Sequence, residues 1–199
     1  MIERDQEIVN TLEFFKCLSR DDLILLFFKD KKSAVSNCNQ VLRRLRDRGH
    51  IKQSKRHSPA VYFPNPSTIK ETSQKIPHYL GIARVYFSLS HYINSFEVEP
   101  KLGPKGTVEP DAFMIYNNSP YFVEIQLTQY NVKTMQEKIE RYENYYYSNE
   151  WRKFPWQPDE PFFPAIAIFT QTSYEINSFL EIYQYKSAKE LHQLSAMQI

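Results

Sequence analysis

Residues 121–129, YFVEIQLTQ, form an apolar run that carries one carboxylate, Glu124, and an amide two places later, Gln126. A second carboxylate, Asp111, follows Pro110 at the head of the preceding apolar run, residues 112–116. If both runs are strands joined by a short turn, Asp111 and Glu124 end at the same edge of a sheet. Two carboxylates there can hold Mg²⁺ through oxygen ligands, and the metal would polarise a scissile phosphate and lower the pKa of a bound water. Asp111 and Glu124 are thus candidate catalytic and metal-ligating residues, Gln126 is a third catalytic candidate, and Mg²⁺ is the cofactor only if such a site is active. A lysine two residues after Glu124 would orient that water or help to deprotonate it and would offset charge. Gln126 stands there instead, and it can hydrogen-bond a water but carries no charge and cannot act as a base at neutral pH. The bland alternatives are a Pro-Asp turn and a solvent-facing Glu on an edge strand.

A second set of chemistry-bearing residues lies in the first third of the chain. Residues 1–66 hold 13 Lys/Arg against 8 Asp/Glu, while residues 67–199 hold 12 against 15, so the basic end is N-terminal. A helix over 33–47 places Cys38, Val41, Leu42 and Leu45 on one face, which leaves Ser33, Ser36, Gln40, Arg43 and Arg44 on the other. Such side chains bind base edges and phosphates. The segment HIKQSKRHSPAVYFP predicts a hairpin with strands near 51–54 and 60–63 and a basic tip. Lys32, Lys52, Lys55, Arg56 and His57 are the candidates for contacts with a nucleic-acid backbone.

These residues need elements to position them. Periodicity predicts a first helix over about 5–18, with Ile8, Leu12 and Phe15 in one stripe, and Ser19 with Asp22 forms a capping box that opens a second over 20–28. Gly49 ends the third helix. Three helices and a basic hairpin make a winged helix-turn-helix, whose third helix lies in the major groove of double-stranded DNA. Winged helices also serve as protein-interaction modules, and Arg43, Arg44, Arg46 and Arg48 could be a solvated face. Pro64-Asn65-Pro66 reads as the boundary between a domain over 1–66 and a second over 67–199, with 67–75 as linker. The second domain is predicted to contain a helix over 77–92, strands over 96–99, 112–116, 121–127 and 165–170, a helix over 132–149 and a last helix over 174–185. The short turn YNNSPY predicts that the second and third strands are an antiparallel hairpin. The fold class expected is α+β or α/β, a winged helix followed by a small α/β domain of the PD-(D/E)xK nuclease type, whose element order this resembles.

Composition sets limits. With 199 residues, 42% of them apolar, the chain can fill one large or two small cores. The start, MIERDQEIVN, lacks the apolar run of a signal peptide, and the longest apolar stretch, residues 23–28, is far too short to span a bilayer, so a cytoplasmic protein with no membrane partner is expected. Cys17 and Cys38 fall on apolar helix faces and read as reduced core residues. The aromatic run Tyr145, Tyr146, Tyr147, Trp151, Phe154, Trp156, Phe162 and Phe163 suits stacking on single-stranded bases, a dimer interface or the cover of a core.

The segments KIPHYLGIARVYFSL, VEPDAFMIY, YFVEIQLT and MQEKIERYENYY, after a winged helix, resemble the replication-relaxation family of plasmids and other mobile elements of Gram-positive bacteria. The points of likeness are His78, Pro110-Asp111, Glu124, Thr128, and Lys138 with Tyr142; Gln126-Leu127-Thr128 departs from the Arg-Gly-Thr frequent in the family. The resemblance implies a DNA-binding winged helix and a nuclease-like core, with a role in plasmid replication, transfer or their control. Lys138 and Tyr142 lie one helical turn apart. They would either face phosphate or leave Tyr packed on the sheet and Lys in water. The function expected is a sequence-specific DNA-binding protein of a mobile element, controlling transcription, replication or transfer. It would act as a homodimer, with an inactive nuclease-like domain that serves dimerisation or a protein partner. The alternative is a Mg²⁺-dependent endonuclease or nickase targeted by the winged helix.

Overall fold

A computed structural model of the chain describes residues 1–54 and 56–196. The chain divides into two compact units, Met1–Ala83 and Arg84–Ile199. Both mix helix and sheet, so the class is α+β.

In the first unit the order is α1 (Glu3–Phe15), β1 (Leu18–Ser19), α2 (Arg20–Phe27), α3 (Ala34–Asp47), β2 (Ile51–Ser54) and β3 (Val61–Pro64). The three strands form an antiparallel sheet in the order β1-β3-β2. Helix α1 presents Ile8, Leu12 and Phe15 to the core and stops at Phe15 rather than Leu18, because Leu18 and Ser19 are drawn into the sheet opposite Tyr62 and Val61. The capping box is present: Ser19 Oγ accepts from the Asp22 N–H, and the Asp22 carboxylate accepts from the Ser19 N–H. Helix α3 buries Cys38, Val41, Leu42 and Leu45. It ends as expected at Gly49, whose φ of +77° lets His50 N–H reach Leu45 C=O and Gly49 N–H reach Arg46 C=O, a closure that satisfies two terminal carbonyls. Cys17 and Cys38 are free and buried, and burial pushes the Cys17 thiol up to about 12 and that of Cys38 to about 11, so both are held as inert thiols. Turns fill 67–75, and helix α4 (Ile76–Leu89) follows.

The second unit is built on a five-stranded sheet in the order β4 (Ile93–Val98), β5 (Ala112–Tyr116), β6 (Ser119–Gln126), β7 (Ala165–Thr170) and β8 (Ile182–Tyr185). Strands β4, β5 and β6 are antiparallel neighbours, whereas β6, β7 and β8 run parallel. The β5–β6 hairpin closes on Asn117 and Asn118, both at positive φ, which matches the turn that strand twist favours and that Asn tolerates. A parallel β6–β7 pair needs a crossover, and α5 (Val132–Ser148) supplies it. Met135, Ile139, Tyr142 and Tyr145 of α5 pack with Phe122, Trp151, Ile166 and Ile168 into the core on that face.

The last helix expected over 174–185 is not formed. Residues 182–185 are the fifth strand, paired with β7 from Ile166↔Ile182 to Phe169↔Tyr185, and the final helix is α6 (Ala188–Ala196). The edge of β7 explains the difference, since its unpaired N–H and C=O groups take a strand from a segment whose apolar residues fit either period. The aromatic run mostly covers the core: Tyr145 and Trp151 are buried, Tyr146, Phe154, Trp156 and Phe163 pack against the same cluster, and Tyr147 and Phe162 stay exposed. Among the described residues no helix is long and apolar enough to cross a membrane.

Candidate functional site

The hairpin register delivers the first carboxylate to the second. Ala112 pairs with Val123, so Asp111, just before β5, lies beside Glu124 near the end of β6. Asp111 is fixed by backbone: its N–H donates to Val123 C=O at 3.0 Å, its C=O accepts from Glu99 N–H at 2.9 Å, and Oδ2 accepts from Ile125 N–H at 2.6 Å. Glu124 is 2% exposed and faces α5, on the same side of the sheet as Phe122. There it meets the two helix residues one turn apart. Tyr142 donates its hydroxyl to Glu124 Oε1 at 2.5 Å, and the ammonium of Lys138 forms an ion pair with Oε2.

The cluster is Asp111, Glu124, Lys138 and Tyr142. Burial pushes the Glu124 carboxyl up to about 8; Asp111 adds to the rise, and Lys138 and Tyr142 oppose it. For Lys138, burial pulls the ammonium down, but the carboxylates of Glu124 and Asp111 outweigh it and the net direction is up. Burial and the neighbouring Glu124 hold the Tyr142 hydroxyl well above its ordinary value, so it stays a donor.

The cation beside Glu124 thus comes from Lys138 of the crossover helix and not from position 126. Gln126 itself is buried, and its amide donates to Thr128 C=O, closing the turn after β6. Of the two placements for Lys138 and Tyr142, Tyr142 does pack on the sheet, but Lys138 turns to Glu124 rather than to water.

A Mg²⁺ ion takes oxygen ligands in near-octahedral array, one or two of them carboxylates and several of them waters. Three of the four carboxylate oxygens here are already engaged by a hydroxyl, an ammonium and an amide N–H. Among the described residues no three His, Cys, Asp or Glu gather to hold a metal ion. A Mg²⁺ ion at Asp111 and Glu124 would therefore have to displace Lys138 or Tyr142 from the Glu124 carboxylate.

No family model, curated protein or solved structure matches the chain. The residues alone carry the functional reading.

In the first unit, Lys32, Ser33, Ser36, Gln40 and Arg43 are exposed on and before α3, with the Arg43 side chain 77% exposed and Asp47 3.7 Å away. Val35 and Asn39, which sequence reasoning passed over, share that exposure. Arg44 is set apart. Its guanidinium pairs with the buried Asp5 of α1 at 2.5 Å, and Arg4 joins the same carboxylate at 3.0 Å while lying over the Phe28 ring. Burial alone would raise the Asp5 carboxyl, but the two guanidiniums hold it below its ordinary value. On the hairpin Lys52 and Arg56 are exposed, while His57 Nδ1 sits 2.8 Å from the buried Ser54 Oγ and braces the turn. Lys55 lies outside the described residues.

Proposed function

We propose that the chain is a sequence-specific DNA-binding protein whose first unit is a winged helix. In this reading α3 enters the major groove, with Gln40 and Arg43 turned to base edges, and Lys32, Lys52, Lys55 and Arg56 hold phosphates on either side. The observation that carries it is the polar outer face of α3, left exposed in a unit whose elements run helix, strand, helix, helix and hairpin with the sheet order β1-β3-β2. Arg44 and His57 act on shape, Arg44 by tying α3 to α1 and His57 by holding the hairpin turn.

The resemblance supplies the setting: a plasmid or other mobile element whose transcription, replication or transfer the protein controls in the cytoplasm, as a homodimer on a site of twofold character. The second unit is a nuclease-like sheet that serves dimerisation or a protein partner rather than cleavage. What supports this is the engagement of Glu124 by Tyr142 and Lys138 and the burial of Gln126.

The test is duplex binding across salt concentrations for the protein and for Arg43→Ala with Lys52→Ala. The pair should weaken binding and reduce the salt slope by about one unit per phosphate contact removed. Unchanged affinity and slope would sink the reading. Nicking of supercoiled plasmid in Mg²⁺ that Asp111→Asn and Glu124→Gln both abolish would replace it with a Mg²⁺-dependent endonuclease or nickase.

A further inference from the structure

Beside the buried cluster, a pocket of about 550 Å³ opens between the 105–109 loop and α5, lined among others by Lys105, Thr107, Tyr130, Thr134, Lys138 and Arg141. We propose that this pocket binds the phosphate of a nucleotide, either a free mononucleotide or the terminal phosphate of a single strand, without a metal ion. The proposal goes beyond the DNA-binding reading of the first unit and does not depend on it.

Three cations line the pocket against one carboxylate, Glu109, and that carboxylate already lies 2.6 Å from the Lys101 ammonium. Thr134, Lys138 and Arg141 stand at successive turns along one face of α5, so two charges and a hydroxyl point into the same space. Lys138 is anchored. One of its N–H groups meets Glu124, and the ammonium has further donors for a ligand oxygen. With its side chain 21% exposed, it sits at the floor of the pocket rather than in bulk water. Glu124 thus fixes the position of the Lys138 ammonium beside the pocket.

The loop opposite is shaped for a close approach. A Cβ on Gly103 would stand 2.6 Å from Thr107 Oγ1, so a larger residue there would force the Thr107 side chain to shift. Gly106 has a φ of +101° and open space around its Cα, which carries the chain over the pocket with no side chain to obstruct it. Tyr130, 41% exposed, is held by its own N–H on the Tyr174 hydroxyl at 3.0 Å and presents a ring on which a base can stack. The volume suits a ligand of mononucleotide size. Charge-assisted bonds from Lys105 and Arg141 would take the phosphate oxygens that Lys138 does not reach.

The experiment is equilibrium dialysis of the full chain, with EDTA present, against thymidine 5′-monophosphate, thymidine, and a ten-residue oligothymidylate with and without a 5′-phosphate. The monophosphate should bind at least tenfold more tightly than thymidine. Lys105→Gln with Arg141→Gln, at two exposed positions, should weaken it tenfold or more, with the urea unfolding midpoint confirming that the variant is folded. Lys133→Gln, on α5 but outside the pocket, should change it less than twofold. Excess blunt duplex should not displace the nucleotide, which separates this site from the first unit. Tighter binding of the 5′-phosphorylated oligomer than of the mononucleotide assigns the strand end; the opposite order assigns the free nucleotide. Binding that ignores the phosphate, survives Lys105→Gln with Arg141→Gln, or is lost to duplex competition overturns the proposal.

Discussion

Glu124 is out of water because Tyr142 and Lys138 replace the solvent it lost, and its energetics follow from that exchange. Removing the ammonium leaves Glu124 Oε2 buried without a partner, so Lys138→Met should cost about 1–3 kcal/mol of unfolding free energy in urea titrations. Lys138→Met combined with Glu124→Leu should recover most of that loss, because no unpartnered buried polar group remains. Tyr142→Phe strips only a donor from Oε1 and should cost about 1–3 kcal/mol. The raised carboxyl also fixes a pH dependence. Glu124 titrates near its ordinary 4.5 when unfolded and near about 8 when folded, so between those values the folded chain binds the proton more tightly. Its contribution is complete below about pH 4.5 and falls away as pH rises towards 8. Glu124→Gln cannot ionise and should flatten this slope, which urea midpoints at pH 5 and pH 8.5 would reveal; parallel slopes for the two proteins would contradict the assignment.

Between elements, the comparable link is Asp5 of α1 against Arg44 of α3. Arg44→Gln should destabilise by about 2 kcal/mol, since it strips a buried carboxylate of one of two guanidiniums, whereas Arg43→Gln on the exposed face should stay within about 0.5 kcal/mol. Asp5 has a lowered pKa, so its contribution is present above its ordinary 3.8 and is lost as pH falls, and the gap between the two variants should close in acid. Only the stripe of α3 was legible in the sequence, and a stripe assigns Arg43 and Arg44 to one class; a carboxylate 39 residues away separates them. Local chemistry was readable where it is local: the capping box at Ser19, the stop at Gly49, the Asn117-Asn118 turn and the strands that flank it. The residues Asp111 and Glu124 were legible as neighbours because a two-residue turn fixes register. What supplies the cation was not, because Lys138 reaches Glu124 only through the crossover, and one-turn spacing with Tyr142 says which residues share a face without saying what the face meets. Strand β8 escaped for a similar reason, as a segment of mixed period takes its state from the edge it finds.

Across the whole molecule, charge is unevenly divided. Residues 1–83 carry 15 Lys/Arg against 9 Asp/Glu and residues 84–199 carry 10 against 14. Duplex affinity should thus belong to the first unit and follow counterion release. With Lys32, Lys52, Lys55 and Arg56 of each protomer on phosphates, log affinity of the homodimer against log salt should fall with a slope of about −7, measured by fluorescence anisotropy over a tenfold range of NaCl. The mixed sheet carries a kinetic consequence. Strands β5 and β6 are joined by two residues, and Glu124 is only 14 positions from Lys138, whereas β7 must wait for the whole of α5 and the aromatic segment after it. Loop closure over short separations is the least costly in entropy, so hairpin and helix contacts form early and the parallel half of the sheet assembles on them. The same ion pair that anchors a cation beside the pocket then belongs to the folding nucleus: Lys138→Met should slow refolding more than it speeds unfolding, while truncation of Ile182 in β8 should act almost wholly on unfolding.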